Sequence, residues 1–305
     1  MLRRSLLGSA ALALAGCQTV PAPVAPAPAV APPPPPAPAL PPPPPPKRLP
    51  RLGLALGGGA ARGFAHIGVI QALEEAGIRP SLVVGTSAGS LVAALYAHGK
   101  TGAELANLAL TMDEGAITDW GLPSRGLIRG EALARYVREQ TGGALIEQAR
   151  LPLGIVATDL DSGAGVLFQR GDTGLAVRAS SAVPAVFQPV RIGEREYVDG
   201  GLVAPVPVRF ARQMGAEFVI AVDISSPPDG APTHDTLRLL LQTFAIMGRS
   251  INRFELREAD LVVRPALVGV ASADFSSRVR ALRAGREAAA ALLPELKSRL
   301  AGAAR

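Results

Sequence analysis

The residues equipped for chemistry are few, and the first is Ser87 in Gly85-Thr86-Ser87-Ala88-Gly89. Glycines two before and two after a serine let the backbone close into a tight turn and leave the hydroxyl standing clear. With 33 Gly and 16 Ser among 305 residues, about 0.2 such motifs arise by chance, so the neighbours must decide. An apolar run, Ser81-Leu82-Val83-Val84, precedes the motif, and a helical pattern follows over residues 90–98. Strand, sharp turn, helix is the arrangement of a nucleophile elbow. A plain βα turn whose serine caps the helix fits the same residues.

A nucleophile that attacks a carbonyl needs donors for the oxyanion it creates. Gly57-Gly58-Gly59-Ala60-Ala61-Arg62-Gly63 lies between an apolar strand, Leu52 to Leu56, and a helical stretch from Phe64 to Ala76 closed by Gly77. Such a loop exposes several backbone N–H groups near the positive end of a helix dipole. It lacks the Gly-Lys-Ser/Thr of a Walker loop. Read as a dinucleotide fingerprint it fails at Arg62 or at Ala60, depending on the frame. An oxyanion hole fits best, with Arg62 pinning the loop or, as the weaker alternative, meeting a lipid phosphate.

The serine also needs a base. The chain holds three histidines, His66, His98 and His234. Only His234 follows the order of an α/β-hydrolase, and its Pro-rich surroundings carry no supporting motif. Asp199, in Tyr197-Val198-Asp199-Gly200-Gly201, is the other candidate. A lone carboxylate can take a hydroxyl proton if burial raises its pKa. Asp-Gly-Gly also reads as a simple turn.

Three blocks in order resemble the bacterial patatin-like phospholipases: Leu56 to Val69 around the glycine loop, Gly85 to Gly89, and Asp199-Gly200-Gly201. Ala157-Thr158-Asp159-Leu160, the run Ala179 to Pro189 and the run Leu202 to Val208 resemble the family as well. The likeness covers roughly residues 51–265. It implies a three-layer α/β/α fold with a largely parallel central sheet. It also implies a Ser87–Asp199 dyad, oxyanion donation from the amides of Gly58, Gly59 and Ala60, and no histidine, metal or cofactor in the chemistry. Gly57, Arg62, Gly63, Gly85, Gly89, Gly200 and Gly201 are the motif residues that support these. Many family members carry glycine where Ala60 stands, so the loop is expected to differ slightly there. The implied substrate is a fatty acyl ester of a phospholipid, lysophospholipid or related lipid. The rivals are a His234-dependent esterase and a catalytically silent lipid-binding lipoprotein.

The elements that must hold these residues read as follows. Residues are 48% hydrophobic, enough for one sizeable α/β domain. Further buried strands are expected at 153–157, 218–222 and 261–263, with helices at 102–112, 130–140, 172–180, 205–214, 235–257 and 278–300. Alternation of apolar strands and helices implies a parallel sheet covered on both faces. Residues 113–129 and 160–171 look irregular and are expected to wall the active site.

The ends carry other information. Arg3 and Arg4, a short apolar run and Leu14-Ala15-Gly16-Cys17 make residues 1–16 a secretory signal, too short to span a bilayer. The last four residues resemble a lipobox, which implies a lipidated Cys17, the chain's one cysteine. Acyl chains contribute about 0.8 kcal/mol per buried CH₂, and more than one gives stable anchoring. Residues 17–50 become a Pro-rich tether, and residues 51–305 the folded domain. The expected location is the cell envelope, with Gln18 rather than Asp after the cysteine favouring the outer membrane. Net charge is +6. Arg278, Arg280, Arg283 and Arg286 cluster near the C-terminus, where a solvated helix face is the plainer reading than a lipid-binding one. No nucleic-acid motif is present. The sequence leaves the oligomeric state open.

Overall fold

The computed structural model describes residues 48–120, 125–225, 235–271 and 274–303, all within one compact unit, Pro46–Arg305. The signal segment, Cys17 and the Pro-rich stretch to Lys47 lie outside the described residues, as does His234.

Five short apolar runs become the parallel strands of the centre. They are β1 (Leu52–Leu56), β2 (Leu82–Thr86), β4 (Leu153–Asp159), β9 (Phe218–Val222) and β10 (Leu261–Val263), paired in the order β10-β9-β1-β2-β4. Strand β3 (Gly126–Ile128) stands apart, paired in parallel with β6 (Ala185–Phe187). Past β4 the main sheet turns antiparallel. β8 (Arg195–Asp199) pairs with β4, β7 (Val190–Ile192) with β8, and β5 (Gly165–Phe168) folds back on β4. These short strands were not expected. Each offers at most three consecutive large apolar residues, and β7 and β8 are broken by charge, so no long apolar run marks them. The stretches read as irregular around 113–129 and 160–171 thus each hold one, β3 and β5.

Helices cover both faces. α1 (Phe64–Glu75), α2 (Ala88–Ala97), α3 (Gly102–Thr111), α4 (Glu131–Thr141), α5 (Thr173–Ser180) and α8 (Arg278–Gly302) are joined by α6 (Val208–Gln213) and α7 (Thr236–Glu255). Alternate residues of the central strands divide between two cores. Leu54, Leu56, Ile155 and Ile220 pack against α1, α2, α3 and α8. Ala55, Val84, Val156 and Val219 pack against α6. This is the three-layer α/β/α arrangement, with a largely parallel sheet buried on both sides.

Local chemistry sets the boundaries. Thr101 and Glu104 form a reciprocal capping box at the start of α3, satisfying amides that helix geometry leaves over. α6 is shorter than the expected 205–214: it starts after Pro205 and Pro207, which have no N–H to donate, and Pro207 serves as its cap by accepting the Ala211 amide at 3.2 Å. The C-terminal arginines are largely engaged within the fold. Arg278 donates to Ala109 O and Met112 O, Arg280 to Gly269 O, and Arg286 pairs with Glu75 at 3.0 Å. Among the described residues no helix is long and apolar enough to cross a membrane.

Candidate active site

β2 delivers Ser87. The chain turns there at φ 53° and ψ −125° before α2 begins, a conformation that costs a non-glycine residue of order 1–3 kcal/mol. The surroundings enforce it. A Cβ on Gly85 would lie 2.3 Å from Gly89 O, and one on Gly89 would lie 2.2 Å from Leu56 O, so neither flank accepts a side chain. The Ser87 amide donates to Ser180 Oγ at 2.9 Å, and Ser180 Oγ donates to Val156 O at 2.5 Å. Ser90 Oγ donates to Ser87 O at 2.6 Å. Ser87 is 9% exposed.

β8 delivers Asp199 from the opposite direction. On β4, Val156 pairs with Thr86 and Ala157 pairs with Asp199. Ser87 follows Thr86, so the two functional residues arrive at one level on either side of β4. Arg195, at the start of β8, pairs with Asp159 of β4 at 2.5 Å and holds that register. The backbone of Asp199 is fixed by its own amide donating to Ala182 O and by Thr158 Oγ1 donating to its carbonyl.

The carboxyl is 6% exposed. Its Oδ1 accepts the Gly201 amide at 2.7 Å, while Oδ2 is buried without a hydrogen-bond partner. Burial pushes the pKa up to about 6, against opposing pulls from the Ser87 hydroxyl and the Gly201 amide. The Ser87 hydroxyl therefore sits close enough to lower the carboxyl's pKa as a hydrogen-bond donor, although it makes no bond of full geometry to Oδ2. Such contacts commonly tighten only when substrate binds.

The glycine loop lies against the nucleophile. A Cβ on Gly58 would stand 3.2 Å from the Ser87 Cβ. The Gly58 amide donates to Pro205 O at 2.9 Å and the Gly57 amide to Val222 O at 3.1 Å. The three amides expected as oxyanion donors are therefore not equivalent. Gly58 is committed to a backbone carbonyl, while the amides of Gly59 and Ala60 donate to no backbone carbonyl among the described residues. Ala60 takes φ 49°, so the loop keeps a left-handed residue even with a Cβ in place. Arg62 pins the loop, with Nε donating to Ile224 O at 2.7 Å and Nη2 to Ser225 O at 3.1 Å. Arg62 as a whole is 8% exposed. Gly63 packs against Ala88, and Gly200 against Val156 O.

The two described histidines, His66 and His98, do other things. His66 is fully buried, with Nε2 2.7 Å from Gly57 O. Burial lowers its pKa to about 4, so the ring is neutral at pH 7 and Nε2 carries the donated proton. It braces the glycine loop, a role its helical position did not announce. His98 lies 3.4 Å from the Thr173 hydroxyl. Neither ring lines the cavity over Ser87.

That cavity holds about 250 Å³. Ser87, Asp199, Gly59 and Ala60 form one side, and Leu241, Phe244, Gly248 and Arg249 of α7 form the other. Residues 113–129 and 160–171 were expected to wall the site; no described residue of either lines this cavity, and Ile117 of the first stretch lines a neighbouring one. α7 occupies the expected position instead. Behind Ala60 a second, apolar cavity of about 70 Å³ runs between α1, α2 and α3, lined by Phe64, Leu91, Leu95, Leu108 and Ile117 among others. Sequence reasoning also missed Ser180, which lies in one of the resemblance stretches without any mark of its role.

Residues 54–212 match the family model for patatin-like phospholipase. An uncharacterized NTE family protein of Mycobacterium tuberculosis is 39% identical over 189 residues, 61% of this chain and 52% of that protein. A second one from the same species is 32% identical over 271 residues, covering 79% of this chain and 46% of its own length. The chain thus spans about half the length of these curated relatives. The mouse patatin-like phospholipase domain-containing protein 6 is 35% identical over 183 residues, 57% of this chain and 14% of that protein. Among solved structures, VipD from Legionella pneumophila superposes with a TM-score of 0.57 at 15% identity, over 82% of this chain and 68% of that one. The family match covers just over half the chain, the neighbouring fold agrees, and the chain belongs to the patatin-like phospholipase family.

Proposed function

We propose that the chain is a serine acyl hydrolase that cleaves fatty acyl esters of phospholipids, lysophospholipids or related lipids. The observation that carries this reading is the buried, unpartnered Oδ2 of Asp199 at the level of Ser87, on a carboxyl whose pKa is pushed up to about 6. That carboxyl is ionised at neutral pH yet basic enough to take a proton. Asp199 accepts the Ser87 proton as Oγ attacks the ester carbon. The amides of Gly59 and Ala60 hold the developing oxyanion, each donor contributing about 3 kcal/mol on the scale of known cases. Collapse expels the alcohol, which leaves with the proton from Asp199. Water then gives a proton to Asp199, attacks the acyl-enzyme and releases the fatty acid as Ser87 recovers its proton. The apolar cavity behind Ala60 suits an acyl chain.

Ser87→Ala and Asp199→Asn each abolish ester hydrolysis while circular dichroism stays native. A fluorophosphonate labels the native chain and not Ser87→Ala. Substantial turnover by Asp199→Asn overturns the dyad. We further propose that residues 1–16 are removed and that a lipidated Cys17 tethers the domain to the cell envelope, at the outer membrane. Labelled palmitate incorporated by the full chain and lost in Cys17→Ser tests this.

A further inference from the structure

Beside the Ser87 cavity lies a larger open one, about 520 Å³, and Ser225 and Arg249 line both. α7 supplies its charge. Arg249 and Arg253 are four residues apart and so share a helix face, and Arg257 follows in the 3₁₀ turn after α7. Arg264, just beyond β10, completes the rim. Among the described lining residues these four guanidinium groups meet one carboxylate, Asp223, which pairs with Arg264 at 3.5 Å and accepts from Ser225 Oγ at 2.6 Å. Among the described residues, no carboxylate lies within ion-pair distance of Arg249 or Arg253. Arg257 lies over the ring of Phe254, 5.6 Å away. Like charges at this spacing repel, so the helix carries a cost that a bound anion would relieve.

The second observation is neutral. Asn252 also lines this cavity and is 4% exposed, yet neither Nδ2 nor Oδ1 has a hydrogen-bond partner. A buried amide without partners is destabilising and calls for a ligand or a special role. Nδ2 donates and Oδ1 accepts, which suits a group presenting both oxygens and hydroxyls.

We propose that this cavity binds a phosphate ester, the headgroup phosphate of the lipid whose acyl ester lies against Ser87. Arg249 and Arg253 meet the charge, and Asn252 meets a phosphoryl oxygen and a neighbouring hydroxyl. Guanidinium groups bind phosphate through paired, charge-assisted hydrogen bonds. The proposal rests on the acyl-hydrolase reading of Ser87 and adds to it the residues that select, among its candidate esters, those that carry phosphate.

The test uses the full chain and two esters with the same acyl group, 1-acylglycerol 3-phosphate and 1-acylglycerol. The native chain favours the phosphorylated ester at least tenfold in kcat/KM at low salt, and the advantage shrinks as ionic strength rises. Arg253→Gln, an exposed position, reduces that advantage to threefold or less, chiefly through KM. Asn252→Leu also reduces it, while raising Tm by a few degrees because two orphaned polar atoms are gone. A purely structural Asn252 would instead give a lower Tm. Equal kcat/KM for the two esters overturns the headgroup site and leaves the hydrolase reading standing. If the native chain hydrolyses neither ester, calorimetric titration decides. Glycerol 3-phosphate binding the native chain at least tenfold more tightly than Arg253→Gln upholds the site, and no binding overturns it. Inorganic phosphate separates the two sources. Binding as tight as that of glycerol 3-phosphate overturns the headgroup assignment.

Discussion

The Ser87 amide and the Ser180 hydroxyl are joined by a hydrogen bond of 2.9 Å, and the same hydroxyl donates onward to Val156 O on the neighbouring strand. One small side chain at the end of α5 therefore links the strained turn to the central sheet. Ser180→Ala leaves a buried amide and a buried carbonyl each short of a partner. The expected cost is about 1–3 kcal/mol of stability and about tenfold in kcat with little change in KM, because the nucleophile loses its fixed position. Thermal melts and steady-state kinetics on a neutral ester check both.

Asp199 sets the pH profile. Its carboxyl must be ionised to act, so log kcat/KM rises with pH and levels off above about 6. The same shift fixes a sign for stability. Between about pH 4 and 6 the folded chain holds the Asp199 proton and the unfolded chain does not, so stability falls as pH rises through that range, by up to about 3 kcal/mol. Asp199→Asn is therefore inactive but more stable than the native chain at pH 8, with the difference vanishing below pH 4. Urea titrations at the two pH values measure it.

His66 works in the opposite sense. Its folded pKa, lowered to about 4, sits below the unfolded value, so the unfolded chain binds the extra proton between about pH 4 and 6.5. Stability then rises with pH by a similar amount. In the native chain the two slopes largely cancel between pH 4 and 6. In Asp199→Asn the His66 slope stands alone, and the unfolding free energy climbs by about 3 kcal/mol from pH 4 to 6.5. A flat profile in that variant sinks the assignment.

Ala60 holds φ 49°, a region where a Cβ costs about 1–2 kcal/mol. Ala60→Gly relieves this and adds back some chain entropy to the unfolded state. The net expectation is a gain of up to about 1 kcal/mol, seen as a higher Tm, with ester hydrolysis preserved.

Leu108 lines the apolar cavity behind Ala60 and is half-buried. Leu108→Trp fills that space. Hydrolysis of long-chain esters falls at least tenfold relative to butyrate esters, and overpacking costs about 1–3 kcal/mol. An unchanged chain-length profile shows that the acyl chain runs elsewhere.

The sequence marks the centre of this fold well because β1, β2, β4, β9 and β10 are buried on both faces and so are written as unbroken apolar runs. β8 is not written that way. Arg195-Glu196-Tyr197 opens it with two charged residues, so the strand that carries Asp199 is invisible to an apolar pattern although the residue itself is legible from Asp-Gly-Gly and the family likeness. Ser87 announces itself because its turn has a strict steric need for Gly85 and Gly89. Ser180 acts through two hydrogen bonds and His66 through one, all to backbone elsewhere in the chain, and no local spacing encodes those. α7 reads as a helix from its periodicity, but nothing along the chain says that it packs over the cavity rather than elsewhere on the sheet.

The position of α7 has an evolutionary consequence. It belongs to the crossover between β9 and β10, two strands already adjacent in the sheet, whereas Ser87, Asp199 and the glycine loop hang from other strands. The outer wall of the cavity can therefore be lengthened, shortened or exchanged between related proteins without disturbing the residues that make and break bonds. The outer wall and the bond-making residues are thus written in separable pieces of this chain, so a graft that keeps Ile224 and Ser225, whose carbonyls hold Arg62, and replaces the segment from there to Leu261 is the natural way to retarget it.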